Sequence, residues 1–146
     1  MNELTLKTLT AGDAHLEKGV YGGNVSGLDP HTCTANCTLT SATHSTVRGK
    51  YVSVQGDGVT VTLPAVLIGV SFLIVNDNAD GAGLMTIAVN ASDKFLVDIA
   101  GAAGANNTDA INTKATQKKG DFIKVTGITA DGWLIEELRG TWVDQS

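Results

Sequence analysis

Bulky aromatic side chains are scarce in this chain: Phe, Trp and Tyr together make up 5% of its 146 residues, whereas hydrophobic residues as a whole make up 42%. A chain of this size buries about two thirds of its unfolded surface on folding. Its core must therefore be built mainly from small aliphatic side chains. The hydrophobic content excludes a disordered chain, so we expect one thinly packed domain, with contacts between subunits covering what one copy leaves exposed.

An excess of positive charge is also absent, because 10 Lys and Arg residues stand against 15 Asp and Glu residues and give a net charge of −5. Nucleic acid is bound through a clustered basic face, so we do not expect it as a partner. No stretch of the sequence approaches the ~20 apolar residues that span a bilayer. The N-terminus lacks the basic and apolar regions of a secretory signal. We therefore expect a soluble protein that is neither bound to a membrane nor secreted through a standard signal.

Motifs of hydrolytic catalysis are missing as well. The histidines His15, His31 and His44 all lie in the first 44 residues, and no Gly-x-Ser-x-Gly nucleophile elbow accompanies them. Glu136 and Glu137 are adjacent, so in a strand they would point to opposite faces and could not form the carboxylate pair of a glycosidase. The sequence predicts a protein that is not an enzyme and needs no cofactor.

Cysteine occurs twice, and Cys33 and Cys37 share one segment with His31 and His44. Zinc sites do use two Cys and two His, but this spacing matches none of the usual zinc fingers. Alternation from Cys33 to Leu39 predicts a strand, in which the two cysteines would lie about 13 Å apart, beyond the ~7 Å limit for a disulfide. We expect two free thiols packed in the core and no metal, with zinc binding or a disulfide as the alternatives.

The segment 76–81 has oxygen-bearing side chains at its first, third and fifth places and a glycine at its sixth, as a calcium loop does. Its twelfth place, however, is Ile87 instead of the bidentate carboxylate, and the neutral Asn76 opens it. Asn and Asp also favour turns because they tolerate left-handed backbone. We therefore expect a turn here rather than a calcium site.

What the chain does contain is a series of short segments rich in Val, Ile and Thr, separated by Gly, Asp and Asn, which is typical of an antiparallel β-domain. Residues 52–63 are predicted to form a hairpin that turns at 55–58. Residues 65–75 are apolar on both parities, which predicts a central strand covered on both faces. The predicted fold is all-β, a small antiparallel β-sandwich or β-barrel-like domain over residues 31–146. Further strands are expected at 33–39, 85–90, 95–99, 122–125 and 133–138.

Residues 1–30 differ from this body. Their apolar residues stand among Thr, Gly and charged residues, and four glycines from Gly19 to Gly27 break any sustained helix. The alternation around Leu4 and Leu6 suits a strand that adds to a sheet edge, its own or a neighbour's. We predict an extended N-terminal arm. The alternative is a loosely packed first strand of the same domain.

A second segment of unusual composition is 100–113, where Gly, Ala and Asn replace every large side chain except Ile111. Structureless loops longer than about 12 residues are uncommon in compact domains and are often functional. The sequence predicts a long, mobile surface loop, either a contact loop or a plain excursion into solvent.

Five short motifs lie along the strand-rich body: 61–65 (VTLPA), 69–76 (GVSFLIVN), 119–121 (KGD), 132–133 (GW) and 140–142 (GTW). Through them the chain resembles, over residues 50–142, a small β-module of tailed-bacteriophage virion proteins. Both capsid decoration (cement) proteins and head or tail fibres carry modules of this kind. The resemblance implies a non-enzymatic homotrimer whose N-terminal arm or domain attaches to the virion while the β-body faces outward.

We therefore expect a capsid decoration protein, made in the host cytoplasm and bound on the outer surface of the phage head, where it contacts the major capsid protein and stabilises the shell. The alternative is a fibre or spike module that binds a host surface glycan by stacking Trp133 and Trp142 on sugar rings. The absence of coiled-coil heptads and repeated shaft motifs favours decoration. No catalytic, cofactor or metal-binding residues are expected. The predicted capsid or subunit interface consists of Leu4, Leu6, Leu9, Leu16, Val20 and Trp142.

Overall fold

Strands dominate the structure, a computed structural model that describes residues 29–46 and 50–145. The all-β class predicted from the sequence is confirmed. The described residues form eleven strands and one short helix: β1 Asp29–Cys33, β2 Cys37–Thr38, α1 Ser41–His44, β3 Lys50–Val54, β4 Val59–Thr62, β5 Ser71–Asn76, β6 Met85–Ala88, β7 Lys94–Phe95, β8 Ala110–Asn112, β9 Asp121–Thr129, β10 Gly132–Arg139 and β11 Trp142–Asp144. No helix among them is long and apolar enough to cross a membrane.

Most of the predicted N-terminal arm lies outside the described residues. Asp29 and Pro30, the last two residues of the predicted arm, belong to β1. The predicted interface residues Leu4, Leu6, Leu9, Leu16 and Val20 are not among the described residues. Their role stays a prediction.

Alternation of side chains explains why these segments form strands. In β4, Val59 and Val61 are buried while Thr60 and Thr62 are half-buried on the other face. In β5 the buried residues are Phe72, Ile74 and Asn76. β-branched side chains are stiff and pack well on a pleated, half-buried surface. Such alternation fixes one inward face for each strand.

The strands described here form two sheets. We call the six-stranded sheet, in the order β1-β3-β5-β9-β10-β7, sheet A, and the five-stranded sheet, in the order β11-β8-β6-β4-β2, sheet B. The buried side chains of both sheets form one core, in which the rings of Phe72 and Trp133 lie 5.7 Å apart between centroids. The molecule is thus a two-layer β-structure, as expected from a chain with one core.

The first six strands alternate between the sheets, and this corrects the predicted hairpin. β3 lies in sheet A and β4 in sheet B, so the turn at 55–58 is an arch between two layers. Within sheet A, β1, β3 and β5 run parallel, with His31 beside Val52 and Val52 beside Ile74. Within sheet B, β2, β4 and β6 also run parallel. The chain therefore winds through three stacked coils, each made of one strand of sheet A and the next strand in sheet B, as in a short parallel β-helix.

The last strands add to both sheets in the antiparallel manner that was predicted for the whole domain, except that β7 pairs parallel with β10 at the edge of sheet A. β9 pairs antiparallel with β5 and β10, and β8 pairs antiparallel with β6 and β11. The predicted loop at 100–113 is wrong at its C-terminal end, because β8 is a strand whose Ala110 and Asn112 are fully buried. The Ala and Asn residues of this segment suggested a loop. In the structure, the side chains of Ala110 and Asn112 instead fill buried positions on the inner face of sheet B.

Candidate functional site

The first arch is closed by a disulfide between Cys33 and Cys37, whose Cα atoms lie 6.1 Å apart. The predicted free thiols, and the predicted continuous strand over 33–39, are therefore wrong. The chain bends at 34–36 between β1 and β2. In the sequence, two alternating segments on either side of a bend look the same as one continuous strand. The distance expected between the two cysteines assumed a straight strand and was therefore too long. With both sulfurs oxidised, the two-Cys, two-His zinc site cannot form.

The two described histidines meet beside this arch. The rings of His31 on β1 and His44 on α1 are in edge contact, 4.0 Å apart between centroids. His44 Nδ1 accepts a hydrogen bond from the backbone N–H of Thr40 at 2.9 Å. Burial and the neighbouring His31 lower the pKa of His44. Since Nδ1 is an acceptor, the neutral ring of His44 carries its proton on Nε2. This hydrogen bond and the contact between the two rings fix the position of the pair. No group of three or more metal-capable side chains occurs in the described ranges.

Residues 76–81, whose sequence resembles a calcium loop, form a turn, as predicted. The carboxylates of Asp77 and Asp80 in this turn are paired with lysines. Three pairs hold the segment 113–120 against the turns of the second and third coils. We call them the lysine clasp: Lys114 with Asp57, Lys118 with Asp80, and Lys119 with Asp77. In each case hydrogen bonds from the lysine side chain or from a backbone N–H lower the pKa of the aspartate. These oxygens serve to fasten the coils together.

A buried polar network joins the sheets at the same end of the molecule. Asn76 Nδ2 donates to Asn112 Oδ1 at 2.8 Å, and Asn112 Nδ2 donates to Asp121 Oδ2 at 3.1 Å. Gln117, also buried, accepts from the backbone N–H of Gly83 and donates to the carbonyl of Asn78. Buried polar groups are stable only when they are paired in this way. Sequence reasoning missed this network, because nothing local marks an Asn or Gln as an inward-facing one.

Glu136 and Glu137 lie at a β-bulge in β10, where the register shifts between Ile135 and Glu137. Glu136 accepts hydrogen bonds from Thr126 Oγ1 at 2.5 Å and from Lys124 Nζ at 2.6 Å. Both glutamates raise the pKa of Lys124, Glu136 more strongly. The prediction that the two carboxylates point to opposite faces assumed strict alternation along β10, and the bulge breaks that alternation. Both glutamates lie near Lys124, and Glu136 forms a surface ion pair with it.

Both tryptophans are buried in the described domain. Trp133 is fully buried, and Trp142 is 6% exposed and donates from Nε1 to the carbonyl of Arg139 at 2.8 Å. Neither ring offers an open face on which a sugar could stack. The assignment of Trp142 to an interface stays a prediction, and the structure gives it a place inside the subunit.

The outer faces of the two sheets differ in chemistry. On the outer face of sheet B, Thr60 pairs with Thr86 and Thr62 with Thr38, while the apolar residues are the small Ala88 beside Thr62 and, on β8 and β11, Ile111 and Val143. On sheet A the centre of the outer face is apolar and half-buried. We call this group the sheet-A patch; it consists of Tyr51, Leu73, Val75 and Phe122. None of these four side chains belongs to the core.

The sheet-A patch is the candidate functional surface of the described residues, since it gathers on one outer face large apolar side chains that are only half-buried and lie outside the core, and contiguous apolar surface of this kind marks an interaction site. Four charged residues on β9 and β10 lie beside it: Lys124, the cross-strand neighbour of Leu73, and Glu136, Glu137 and Arg139. Comparison of the chain with known protein families, with characterised proteins and with solved structures found no match. Function is therefore inferred from the chain's own surfaces.

Proposed function

We propose that this protein is a non-enzymatic virion protein that assembles as a homotrimer, decorates the outer surface of a tailed-phage head and stabilises the shell by binding the major capsid protein. The observation that supports this most directly is the contrast between engaged polar groups and a half-buried apolar surface outside the core. The cysteines, the aspartates of 76–81 and Glu136 at the bulge are occupied by structural contacts. The sheet-A patch is left for association.

The construction of the described domain also suits a protein that has to persist on a shell. A disulfide closes the first coil, the lysine clasp fastens the second and third coils, and antiparallel strands close both sheets. A bound copy favours the assembled state by mass action. In this proposal the residues 1–30 supply the contact with the capsid, through Leu4, Leu6, Leu9, Leu16 and Val20.

The proposal is tested by adding the purified full chain to capsids that lack it and measuring co-sedimentation over a range of concentrations. Saturable loading is expected. The variant Leu4→Asp/Leu6→Asp should lose at least tenfold in apparent affinity, because charged residues replace the apolar contact. The matched control Thr5→Asp/Thr8→Asp adds the same charge to the same segment and should bind more tightly than the leucine variant. A wild-type chain that does not load at any concentration would contradict the proposal.

The glycan-binding alternative keeps less support than it had from the sequence. It rested on Trp133 and Trp142 as a stacking platform, and both are buried. Sedimentation of the chain with host cells in place of capsids is the result that would favour this alternative.

A further inference from the structure

We infer that the sheet-A patch is the surface through which copies of this chain contact one another. The inference rests on the proposed trimer and adds to it the face by which the subunits associate. It concerns contact between copies, so it is tested separately from capsid binding.

The first argument comes from β5, which is apolar on both parities. A strand of this kind is covered on both faces in proteins. In the described residues sheet B covers Phe72 and Ile74, whereas Leu73 and Val75 on the other side are only half-buried, by their neighbours in the same sheet. The sequence of β5 is thus that of a strand with a second layer over it, and the described part of the subunit supplies one layer.

The second argument comes from the distribution of aromatic rings. Of the six aromatic residues that the structure describes, Phe72, Phe95, Trp133 and Trp142 are buried in the core. The other two, Tyr51 and Phe122, both lie in the sheet-A patch. Aromatic residues are enriched at the centres of protein interfaces, where they provide large contact area at low entropic cost. In a chain with so few of them, placing both remaining rings on one face indicates an interface.

Four of the polar side chains on this face satisfy one another, so covering them does not leave them unpaired. Ser71 Oγ and Thr126 Oγ1 are hydrogen-bonded at 2.5 Å, Thr126 Oγ1 donates to Glu136, and Lys124 donates to the same carboxylate. Burial of an unpaired polar or charged group is strongly unfavourable. This chain of hydrogen bonds removes that obstacle to burying the face.

The charged residues beside the patch indicate that the partner it binds is a second copy of this chain. Lys124 and Arg139 stand beside Glu136 and Glu137, two of each sign, although the whole chain carries a net charge of −5. In a trimer each subunit meets its neighbours through two different parts of its surface. A face that presents both signs can therefore place its cations against the carboxylates of the next copy, while a nucleic acid or a strongly charged protein requires a single sign. Association through this face therefore avoids the repulsion that two acidic subunits meet elsewhere.

The size of the face fits this role. Six strands at ~4.8 Å spacing, with about six residues each at ~3.3 Å, describe a surface of roughly 570 Å² in projection. Stable interfaces bury about 800 Å² of accessible surface per partner. A corrugated sheet has more accessible area than its projection, so the face is large enough for a stable contact.

The test is the solution mass of the full chain and its variants, measured by sedimentation equilibrium over a hundredfold range of concentration. The wild type should be a trimer. The variants Leu73→Lys and Phe122→Lys should weaken association about tenfold or more, and the milder Leu73→Thr should act in the same direction while keeping a good strand former. The controls Thr60→Lys and Thr86→Lys, on the outer face of sheet B, should leave the mass unchanged. Far-UV circular dichroism reports whether each variant keeps its fold.

Two results would overturn the inference in different ways. A trimeric wild type whose sheet-A variants remain trimeric shows that the subunits associate through another surface, and it leaves the proposed function standing. A wild type that is monomeric throughout contradicts the proposed trimer together with this inference, and it assigns the patch to another segment of the chain or to a different protein.

Discussion

At the level of single residues, the disulfide between Cys33 and Cys37 ties the two strands of the coil at the edge of both sheets. We predict that the variant Cys33→Ala/Cys37→Ala loses about 2 kcal/mol of unfolding free energy, because the short closed loop no longer restricts the unfolded chain. Urea unfolding with and without reductant measures this. Reductant should destabilise the wild type and leave the variant unchanged; an equal response of the two would contradict the prediction.

Gly140 is the glycine whose backbone matters most to the buried network. Its φ is +100°, and a Cβ atom there would lie 2.3 Å from Asp121 Cγ. Gly101 has a φ of +86° with nothing within 4 Å of the same position, so it is a matched control. We predict that Gly101→Ala costs about 1 to 2 kcal/mol from backbone strain alone. Gly140→Ala should cost about 2 kcal/mol more, since Asp121 must move away from Asn112.

The comparison of these two variants by denaturant unfolding isolates the effect of crowding from that of the left-handed backbone. Equal losses in Gly101→Ala and Gly140→Ala would show that Asp121 tolerates the displacement. The network would then contribute less to stability than its burial indicates.

At the level of elements, the lysine clasp links the segment 113–120 to two arches. For Asp77 and Lys119, whose charged atoms are 3.0 Å apart, a double-mutant cycle with Asp77→Asn and Lys119→Gln should give a coupling energy below about 1 kcal/mol. The Lys119 hydrogen bond lowers the pKa of Asp77 from its usual 3.8. A lowered carboxylate pKa stabilises the fold fully above about 3.8, and this contribution is lost as the pH falls through the lower value.

The coupling energy of this pair should therefore be measurable at neutral pH and disappear in strong acid or high salt. Thermal unfolding of the four proteins of the cycle, at pH 7 and pH 2, gives both values. A coupling energy that persists unchanged at pH 2 would show that the contact is not electrostatic.

Strands themselves could be predicted from the sequence, but their partners could not. The alternation in β3, β4 and β6 marks which side chains face inward, and the structure agrees at Val52, Val61 and Ile87. A hairpin and an arch both place a polar turn between two alternating segments. Choosing between them depends on which strand lies alongside, a non-local contact that alternation does not encode.

The candidate surface could likewise be predicted only in part from the sequence. The double apolar parity of β5 predicted a second covering layer, and Leu73 and Val75 are the residues responsible. The contributions of Tyr51 and Phe122 to the same face could not be predicted, because they come from strands whose position beside β5 is set by the topology.

At the level of the whole molecule, stability should fall in two stages on acidification. Burial and His31 lower the pKa of His44 from 6.5, so below about pH 6.5 the unfolded chain binds more protons than the folded one, and stability declines with falling pH. The carboxylates of the lysine clasp follow, below about pH 4. We predict that His44→Asn, whose side-chain oxygen can accept the Thr40 N–H in place of Nδ1, removes the first stage only.

The measurement is the unfolding free energy at intervals from pH 8 to pH 3. A wild type and a His44→Asn variant that decline in parallel between pH 7 and pH 5 would contradict this assignment. In that case another group would carry the first stage.

The order in which the strands enter the two sheets has a consequence for synthesis on the ribosome. When the first hundred residues have emerged, the three coils are complete, but β5 and β6 still present open apolar edges, because their antiparallel partners β9 and β8 come later in the chain. Open strand edges recruit other chains. We therefore expect a polypeptide that stops before β8 to aggregate, and we expect the nascent chain to need protection by chaperones until its final third has been translated.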